Sequence, residues 1–283
     1  MTLFDVVLPT RGRAHTIGFA IESVLRQTEP DFLLHVVGDG CGEETERVVA
    51  GFDDPRVAYT RFPKGEGFGY GNRNAVLRVS TSPFVAYMTD DDLMLPEHLA
   101  LARKALEESR RGLVAFRCAQ VRFPDDLDPF FFPFDWRIPV LGDFLRNWFI
   151  GSANLAHRRG LFGRIGYWDA SLERFGDREF YRRARLAGEA TYREDVTLLR
   201  FFAAEWDARY AALSEPPQKR WLGRVGSRGF AEGLRSRIAG RRGPRVRMAQ
   251  ARDFLRFAAR SGPRFARFVA RRRRSMDSLT GGI

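Results

Sequence analysis

The chain has 283 residues, 44% of them hydrophobic, which is enough for one large α/β domain or two small ones. No apolar stretch approaches the ~18 residues of a membrane-spanning helix, no signal peptide is evident at the N-terminus, and the two cysteines, Cys41 and Cys118, form neither a metal-type spacing nor a disulfide framework. The net charge of +12 is uneven: residues 216–283 hold 19 Lys and Arg against 3 Asp and Glu, whereas residues 1–215 hold 28 basic and 32 acidic side chains. We therefore expect a cytoplasmic protein with a slightly acidic body and a basic end that meets an anionic partner.

Short apolar runs alternate with helical periodicity through the first 108 residues. Strands are predicted over residues 4–8, 32–38, 56–61 and 84–89. Helices are predicted over residues 17–25, 44–50 and 96–108, and a further helix follows the glycine-rich segment KGEGFGYGNRNA and ends at about residue 79. This alternation predicts an α/β fold with a Rossmann-like, mostly parallel sheet flanked by helices.

The following segment is less regular. Strands are predicted over residues 114–123 and 190–202, with a helix over 177–188 between them. The aromatic, proline-rich stretch 128–140 is expected to be an ordered loop, either covering the core or forming a platform for a sugar.

Polar side chains follow several of the predicted strands. Thr10 and Arg13 follow the first strand, Asp39 follows the second, and three aspartates, 90–92, follow the fourth. In parallel sheets ligands bind beyond the carboxyl ends of the strands, so these side chains are candidates for one site. Adjacent carboxylates repel, and a divalent cation such as Mg²⁺, which takes one or two carboxylates together with phosphate oxygens, would offset the charge. The alternative is a solvated turn that caps a helix.

Five segments in order resemble the family-two glycosyltransferases, whose fold is called GT-A. They are VVLPTRGR, VVGDG, GNRNAVL, TDDD, which matches an Asp-x-Asp motif, and FGDREF, and together they span roughly residues 4–205. The resemblance implies a nucleotide-sugar-binding half over residues 1–113 and an acceptor-binding half over residues 114–215 of one GT-A domain. An Arg-rich helical tail over residues 216–283 would follow as a basic extension.

The resemblance also implies roles for individual residues. Asp177 would be the general base, and Asp92 and Asp90 would bind Mg²⁺ or Mn²⁺. Donor-binding positions implied by the family pattern are Pro9, Thr10, Arg13, Asp39, Asn72, Arg73, Asp90 and Asp91.

Three positions differ from the family pattern. The family often has a metal-binding His near a segment like TLLRFF, and here we expect Glu205 or water to complete the metal shell. Gly176 replaces the first residue of an acidic pair, and Gly38 replaces an acid at the end of the second strand.

The function implied by the resemblance is an inverting, metal-dependent transfer of a sugar from a nucleotide diphosphate donor, UDP being the commonest, to a hydroxyl of a glycan or lipid-linked acceptor in cell-surface polysaccharide synthesis. A non-catalytic GT-A scaffold attached to the membrane and a nucleotidyltransferase are the alternatives.

The basic tail has an apolar stripe at helical spacing between residues 251 and 269, with arginines off the stripe. Such a helix is typical of peripheral attachment to an anionic membrane surface, here the inner face. Packing of this helix on the body is the alternative, and nucleic acid is a less favoured partner.

Overall fold

The computed structural model describes residues 2–122, 126–128, 150–201, 213–227, 229–230, 232–234 and 236. Residues 1–235 form one compact unit and residues 236–283 a second. All elements described below belong to the first unit. The aromatic stretch 129–140, Glu205 and the apolar stripe of the tail lie outside the described residues, so the predictions made for them stay predictions.

The described strands form one mixed sheet in the order β3-β2-β1-β4-β8-β6-β9-β5, with β7 paired to β6. The strands are β1 (Phe4–Thr10), β2 (Phe32–Asp39), β3 (Val57–Phe62), β4 (Phe84–Tyr87), β5 (Leu93–Met94), β6 (Leu113–Arg122), β7 (Asp126–Asp128), β8 (Leu155–Arg158) and β9 (Ala190–Arg200). Strands β1 to β4 are mutually parallel, whereas β8 is antiparallel to both β4 and β6. The predicted α/β fold with a parallel half is therefore confirmed, and the second half adds antiparallel pairs.

Helices cover both faces of the sheet. They are α1 (Ala14–Leu25), α2 (Glu43–Ala50), α3 (Tyr70–Val79), α4 (His98–Glu108), α5 (Phe162–Ile165), α6 (Gly176–Leu186) and α7 (Pro217–Val225). In the described part of the chain no helix is long and apolar enough to cross a membrane.

The alternating faces of β1 show why Val6, Val7 and Leu8 are all apolar. Val6 and Leu8 pack in one buried cluster with α1 and α4, whereas Val7 packs in a second cluster with α3 and α6. Because side chains alternate across a strand and both faces are covered, each of these three positions favours an apolar residue.

Helix α7 lies inside the range that the sequence assigns to the tail, yet it contacts the body. The Arg26 guanidinium of α1 donates to the Leu222 carbonyl at 3.1 Å, and the buried Gln218 amide donates to the Asp91 carbonyl at 2.8 Å. The start of the basic segment is thus tied to the aspartate run.

A buried chain of hydrogen bonds joins the two halves of the sheet. Trp168 Nε1 donates to Tyr87 Oη at 3.2 Å, and Tyr87 Oη lies 2.8 Å from His157 Nε2. His157 Nδ1 is 2.8 Å from the Arg158 carbonyl, which can only accept. His157 is therefore the neutral tautomer with its proton on Nδ1, and burial lowers its pKa to about 4.

His98 is also fully buried, and its burial lowers its pKa to about 3. Its Nδ1 lies 2.8 Å from the Thr197 hydroxyl. In the unfolded chain both imidazoles titrate near pH 6.5, so below that pH protons bind to the unfolded state and not to the folded one.

We expect the free energy of unfolding to fall as the pH is lowered from 6.5 towards 4, by about 1.4 kcal/mol per pH unit for each buried histidine. Urea unfolding at a series of pH values measures this slope. His98→Gln should reduce the slope because the amide does not titrate, whereas His15→Gln at an exposed position should not. Equal slopes in all three proteins would contradict the assignment.

Candidate active site

The polar residues predicted to form a site lie at the carboxyl edge of the parallel strands. Thr10 is the last residue of β1, Asp39 is the last of β2, and the three aspartates follow β4. Strands β2, β1 and β4 are adjacent and parallel, so their carboxyl ends meet at one edge.

Arg13 holds the first two aspartates of the run. Its Nη1 lies 2.5 Å from Asp90 Oδ1 and 3.1 Å from Asp91 Oδ2, and the Arg11 amide donates to Asp90 Oδ2 at 3.3 Å. Asp90 is 4% exposed, so this pairing offsets a buried negative charge. The structure thus brings Arg13, Asp90 and Asp91 together.

The negative charge of the run is only partly offset. Desolvation, together with the neighbouring carboxylates of Asp92 and Asp90, raises the pKa of Asp91 to about 7, although Arg13 and Arg200 oppose the shift. The Asp91 side chain still has 22% of its area exposed, which leaves it open to a cation from solvent. The cluster therefore favours one more positive charge.

Asp92 is held by the returning strand β9. Its Oδ2 accepts the Thr89 hydroxyl at 2.7 Å, its Oδ1 accepts the Phe201 amide at 3.0 Å, and Arg200 Nε lies 3.4 Å from Oδ2. The antiparallel register of β5 and β9 pairs Leu93 with Leu199, which places Arg200 beside Asp92.

Arg200 is a site residue that the sequence analysis missed. Burial by itself would lower its pKa, but the carboxylates of Asp92, Asp91 and Asp177 raise the pKa above its usual value. A single basic residue at the end of the apolar segment TLLRFF was the available signal, since an arginine there needs an anionic partner.

Arg73 is a buried cation on α3, only 7% exposed. Its guanidinium lies 4.7 Å from the Tyr70 ring centroid and 5.8 Å from that of Trp168, and its Nη2 donates to the Phe68 carbonyl at 3.1 Å. No carboxylate of the described residues forms an ion pair with it, and its buried Nε has no hydrogen-bond partner there. Burial accordingly lowers the pKa of Arg73.

Asn74 fixes Trp168, one of the two aromatic residues beside Arg73. The Asn74 side chain donates to the Trp168 carbonyl at 2.7 Å and accepts the Trp168 amide at 3.2 Å. The Trp168 ring stacks on Tyr70 with centroids 5.8 Å apart. Asn74 is a second residue that the sequence analysis did not single out as a site residue.

Asp177 lies in the first turn of α6, as the sequence predicts. Its Oδ1 accepts the Arg178 amide at 2.9 Å. The Asp177 carboxylate favours the charged form of both Arg73 and Arg200, although burial still lowers the pKa of Arg73 overall. Because Asp90 acts on Arg73 in the same way, these arginines link the aspartate run to Asp177.

The Asp39 and Asn72 side chains contact each other and the glycine-rich loop, not the aspartate run. Asp39 Oδ1 accepts the Asn72 amide at 2.8 Å and the Gly65 amide at 2.7 Å, and Lys64 Nζ lies 3.2 Å from Oδ2. Gly69 has φ 68°, and a Cβ there would lie 2.6 Å from Asp39 Oδ2. The loop is thus wrapped around the Asp39 carboxylate.

Pro9 and Thr10 end β1 beside β2. The Thr10 hydroxyl is buried without a hydrogen-bond partner in the described part of the chain, and the neighbouring Gly38 has no room for a side chain. A Cβ at Gly38 would lie 2.6 Å from Tyr59 Oη. Tyr59 therefore explains why this chain has glycine where the family pattern has an acid.

The aspartate run offers carboxylate oxygens, the ligand type that a divalent cation such as Mg²⁺ prefers. Among the described residues no group of three or more His, Cys, Asp or Glu side chains is arranged to hold a metal ion. Mg²⁺ needs only one or two carboxylates when phosphate oxygens and water complete its shell.

Comparison with known proteins agrees with this geometry. The family model Glycosyl transferase family 2 matches residues 5–140. The UDP-Glc:alpha-D-GlcNAc-diphosphoundecaprenol beta-1,3-glucosyltransferase WfgD of Escherichia coli is 29% identical over 99 residues, which are 35% of this chain and 39% of WfgD.

Two of the solved structures that share the fold serve as examples. TarS 1-349 of S. aureus in complex with UDP-GlcNAc has a TM-score of 0.58 and 19% identity, covering 71% of this chain and 58% of that one. The mannosyltransferase PcManGT of Pyrobaculum calidifontis in complex with GDP-Man and Mn2+ has a TM-score of 0.55 and 18% identity, covering 92% and 86%.

The fold is that of the GT-A glycosyltransferase structures. Residues 5–140 match the family-two glycosyltransferases, and the curated relatives and the fold neighbours support a glycosyltransferase of this family. The match covers 39% of WfgD and 58% of the TarS structure, less than two thirds of either.

Arg73 provides a test of the site without any ligand. Arg73→Met should leave the free energy of unfolding unchanged or raise it by about 1 kcal/mol, because it removes a buried cation that has no ion pair. Urea unfolding checks this, with Arg78→Met on the exposed face of the same helix as the control. A loss of more than about 2 kcal/mol in the Arg73 variant alone would show that the cation stabilises the fold.

Proposed function

We propose that this protein is an inverting glycosyltransferase that moves a sugar from a nucleoside diphosphate donor, UDP in the first instance, to a hydroxyl of a glycan or lipid-linked acceptor. Family membership supports the reaction type. The substrate named for WfgD, a GlcNAc-diphosphoundecaprenol, supports a lipid-linked acceptor, and the UDP-GlcNAc complex of TarS supports the donor class. Cell-surface polysaccharide synthesis is the corresponding role.

The observation that carries the proposal is the buried guanidinium of Arg73. It has no ion pair with a described carboxylate, yet it is within electrostatic range of both Asp90 and Asp177. A buried cation is costly unless an anion compensates it, and a diphosphate bound beside Arg73 would supply that anion. The donor would then lie between the aspartate run and Asp177.

Asp90 and Asp92 would hold Mg²⁺ or Mn²⁺ on the donor side, and Asp91 adds to the negative field that attracts the cation. When bound, a divalent cation stabilises the charge that develops on the departing diphosphate. Arg13 keeps Asp90 and Asp91 in place, and Arg200 does the same for Asp92.

Asp177 would act as the general base. The hydroxyl oxygen of the acceptor forms a bond to the anomeric carbon, the bond from that carbon to the diphosphate breaks, and the nucleoside diphosphate leaves with the electron pair. The hydroxyl proton passes to Asp177, whose Oδ1 already accepts the Arg178 amide. A single displacement with one base inverts the anomeric centre.

The remaining donor positions have supporting roles in this proposal. Pro9 and Thr10 would line the nucleotide pocket, Asp39 would reach the base, and Asn72 would stand near the ribose and diphosphate. Asp39 also accepts hydrogen bonds from Asn72 and from the Gly65 amide of the glycine-rich loop. Attachment of the basic tail to an anionic membrane would bring the site to a lipid-linked acceptor, and this stays a prediction from the sequence.

Asp177→Asn should leave donor binding within about threefold of wild type and reduce transfer by about 10²- to 10⁴-fold, because the amide cannot accept the proton. Calorimetry with UDP measures binding, and transfer from UDP-sugars to a synthetic GlcNAc-diphosphate lipid measures turnover. Near-normal transfer by the variant would show that another group is the base. Donor binding without any transfer by wild type would favour the non-catalytic scaffold.

Asp92→Asn should remove the effect of Mn²⁺ on UDP affinity, which in wild type should weaken at least about tenfold when EDTA removes the metal. Asp53→Asn, at an exposed position, is the matched control and should keep the wild-type response. If the Asp92 variant keeps a full Mn²⁺ response, Asp92 is not a metal ligand.

A further inference from the structure

Tyr70 contacts both halves of the site, although nothing in the sequence analysis assigned it a role. It is the first residue of α3 and is 3% exposed. The face of its ring lies against the Arg73 guanidinium at 4.7 Å, and its Oη accepts the amide proton of Gly176 at 2.8 Å. One side chain therefore joins the cation of the donor side to the helix that carries Asp177.

The hydrogen bond to Gly176 caps α6. The first amides of a helix lack partners within the helix, and an N-cap residue normally supplies an acceptor from its side chain. The N-cap of α6 is Phe175, which has no acceptor, and Tyr70 Oη takes that role from another element.

The start of α6 is also fixed by backbone conformation. Phe175 has φ 65°, a left-handed conformation that no other non-glycine residue of the described part adopts. Such a conformation is unfavourable for a side-chain-bearing residue and persists where the surroundings determine it. Arg178 lies 4.2 Å from the Phe175 ring centroid on the same turn.

The Tyr70 ring lies so close to Gly176 that position 176 has no room for a side chain. A Cβ at position 176 would lie 2.5 Å from Tyr70 Cζ, so any larger residue would displace the ring. Gly176 is the residue immediately before Asp177, so a displacement of the ring or of the helix start moves the carboxylate relative to Arg73.

We propose that Tyr70 is a positioning residue that couples occupancy of the donor site to the placement of Asp177, through its ring contact with Arg73 and its hydrogen bond to Gly176. An anion bound at Arg73 stabilises the guanidinium against the ring, and the ring in turn stabilises the cap of α6. The inference rests on the proposed function, because the anion is the donor diphosphate.

Hydrogen exchange at the start of α6, with UDP and Mn²⁺ as the probe, tests the coupling. In wild type, UDP should slow exchange of the Gly176 amide by about tenfold. Tyr70→Phe removes only the hydroxyl and keeps the ring, so it should still bind UDP within about threefold of wild type while the effect of UDP on Gly176 is lost. Tyr167→Phe, which removes a hydroxyl from a residue packed on Phe162, should behave as wild type.

Turnover gives a second readout that a merely structural role would not produce. Tyr70→Phe should lower kcat about tenfold with little change in KM for the donor, because the base is displaced and Arg73 is not. Tyr70→Leu should also raise KM, because it removes the ring beside Arg73.

The outcomes separate the two proposals. UDP binding with the same protection of Gly176 in wild type and Tyr70→Phe would overturn the coupling and leave the proposed function intact. Absence of UDP binding by the wild-type protein would overturn the proposed function and the coupling with it.

Discussion

The site depends on keeping three consecutive carboxylates together at the end of β4. Two arginines make this feasible, Arg13 from the loop after β1 and Arg200 from the end of β9. Burial and the neighbouring carboxylates of Asp92 and Asp90 still raise the pKa of Asp91 to about 7, against the opposing charge of Arg13. In the proposed function a bound cation would offset the charge of these carboxylates.

The need to pair Asp92 with Arg200 links the parallel strands β1 to β4 and the later strands in one sheet. Arg200 reaches Asp92 only because β9 returns to pair with β5 and with β6. The Phe201 amide on the same segment completes the hydrogen bonds of Asp92. The acidic cluster thus forms fully only when residues more than one hundred positions apart have assembled.

A second set of contacts lies around Trp168. Trp168 is fixed by Asn74 and by the hydrogen-bonded chain through Tyr87 to the neutral His157. Stacking of Trp168 on Tyr70 places that ring between Arg73 and the start of α6. Arg73, proposed to face the donor, and the start of the helix that carries Asp177, proposed as the base, therefore both contact the stacked rings of Tyr70 and Trp168 rather than separate loops.

The sequence by itself determined the elements and the edge of the sheet at which the site lies. Apolar runs placed β1, β2 and β4 within a few residues, and the aspartates and Asp177 fall at the strand end and helix start expected of them, because these signals are local in the chain. The tertiary structure alone decided the partners: Arg200 beside Asp92, Tyr59 beneath Gly38, Lys64 on Asp39, and Tyr70 against Gly176. Each of these contacts joins segments far apart in sequence, and its geometry depends on strand register and packing, which no single segment specifies.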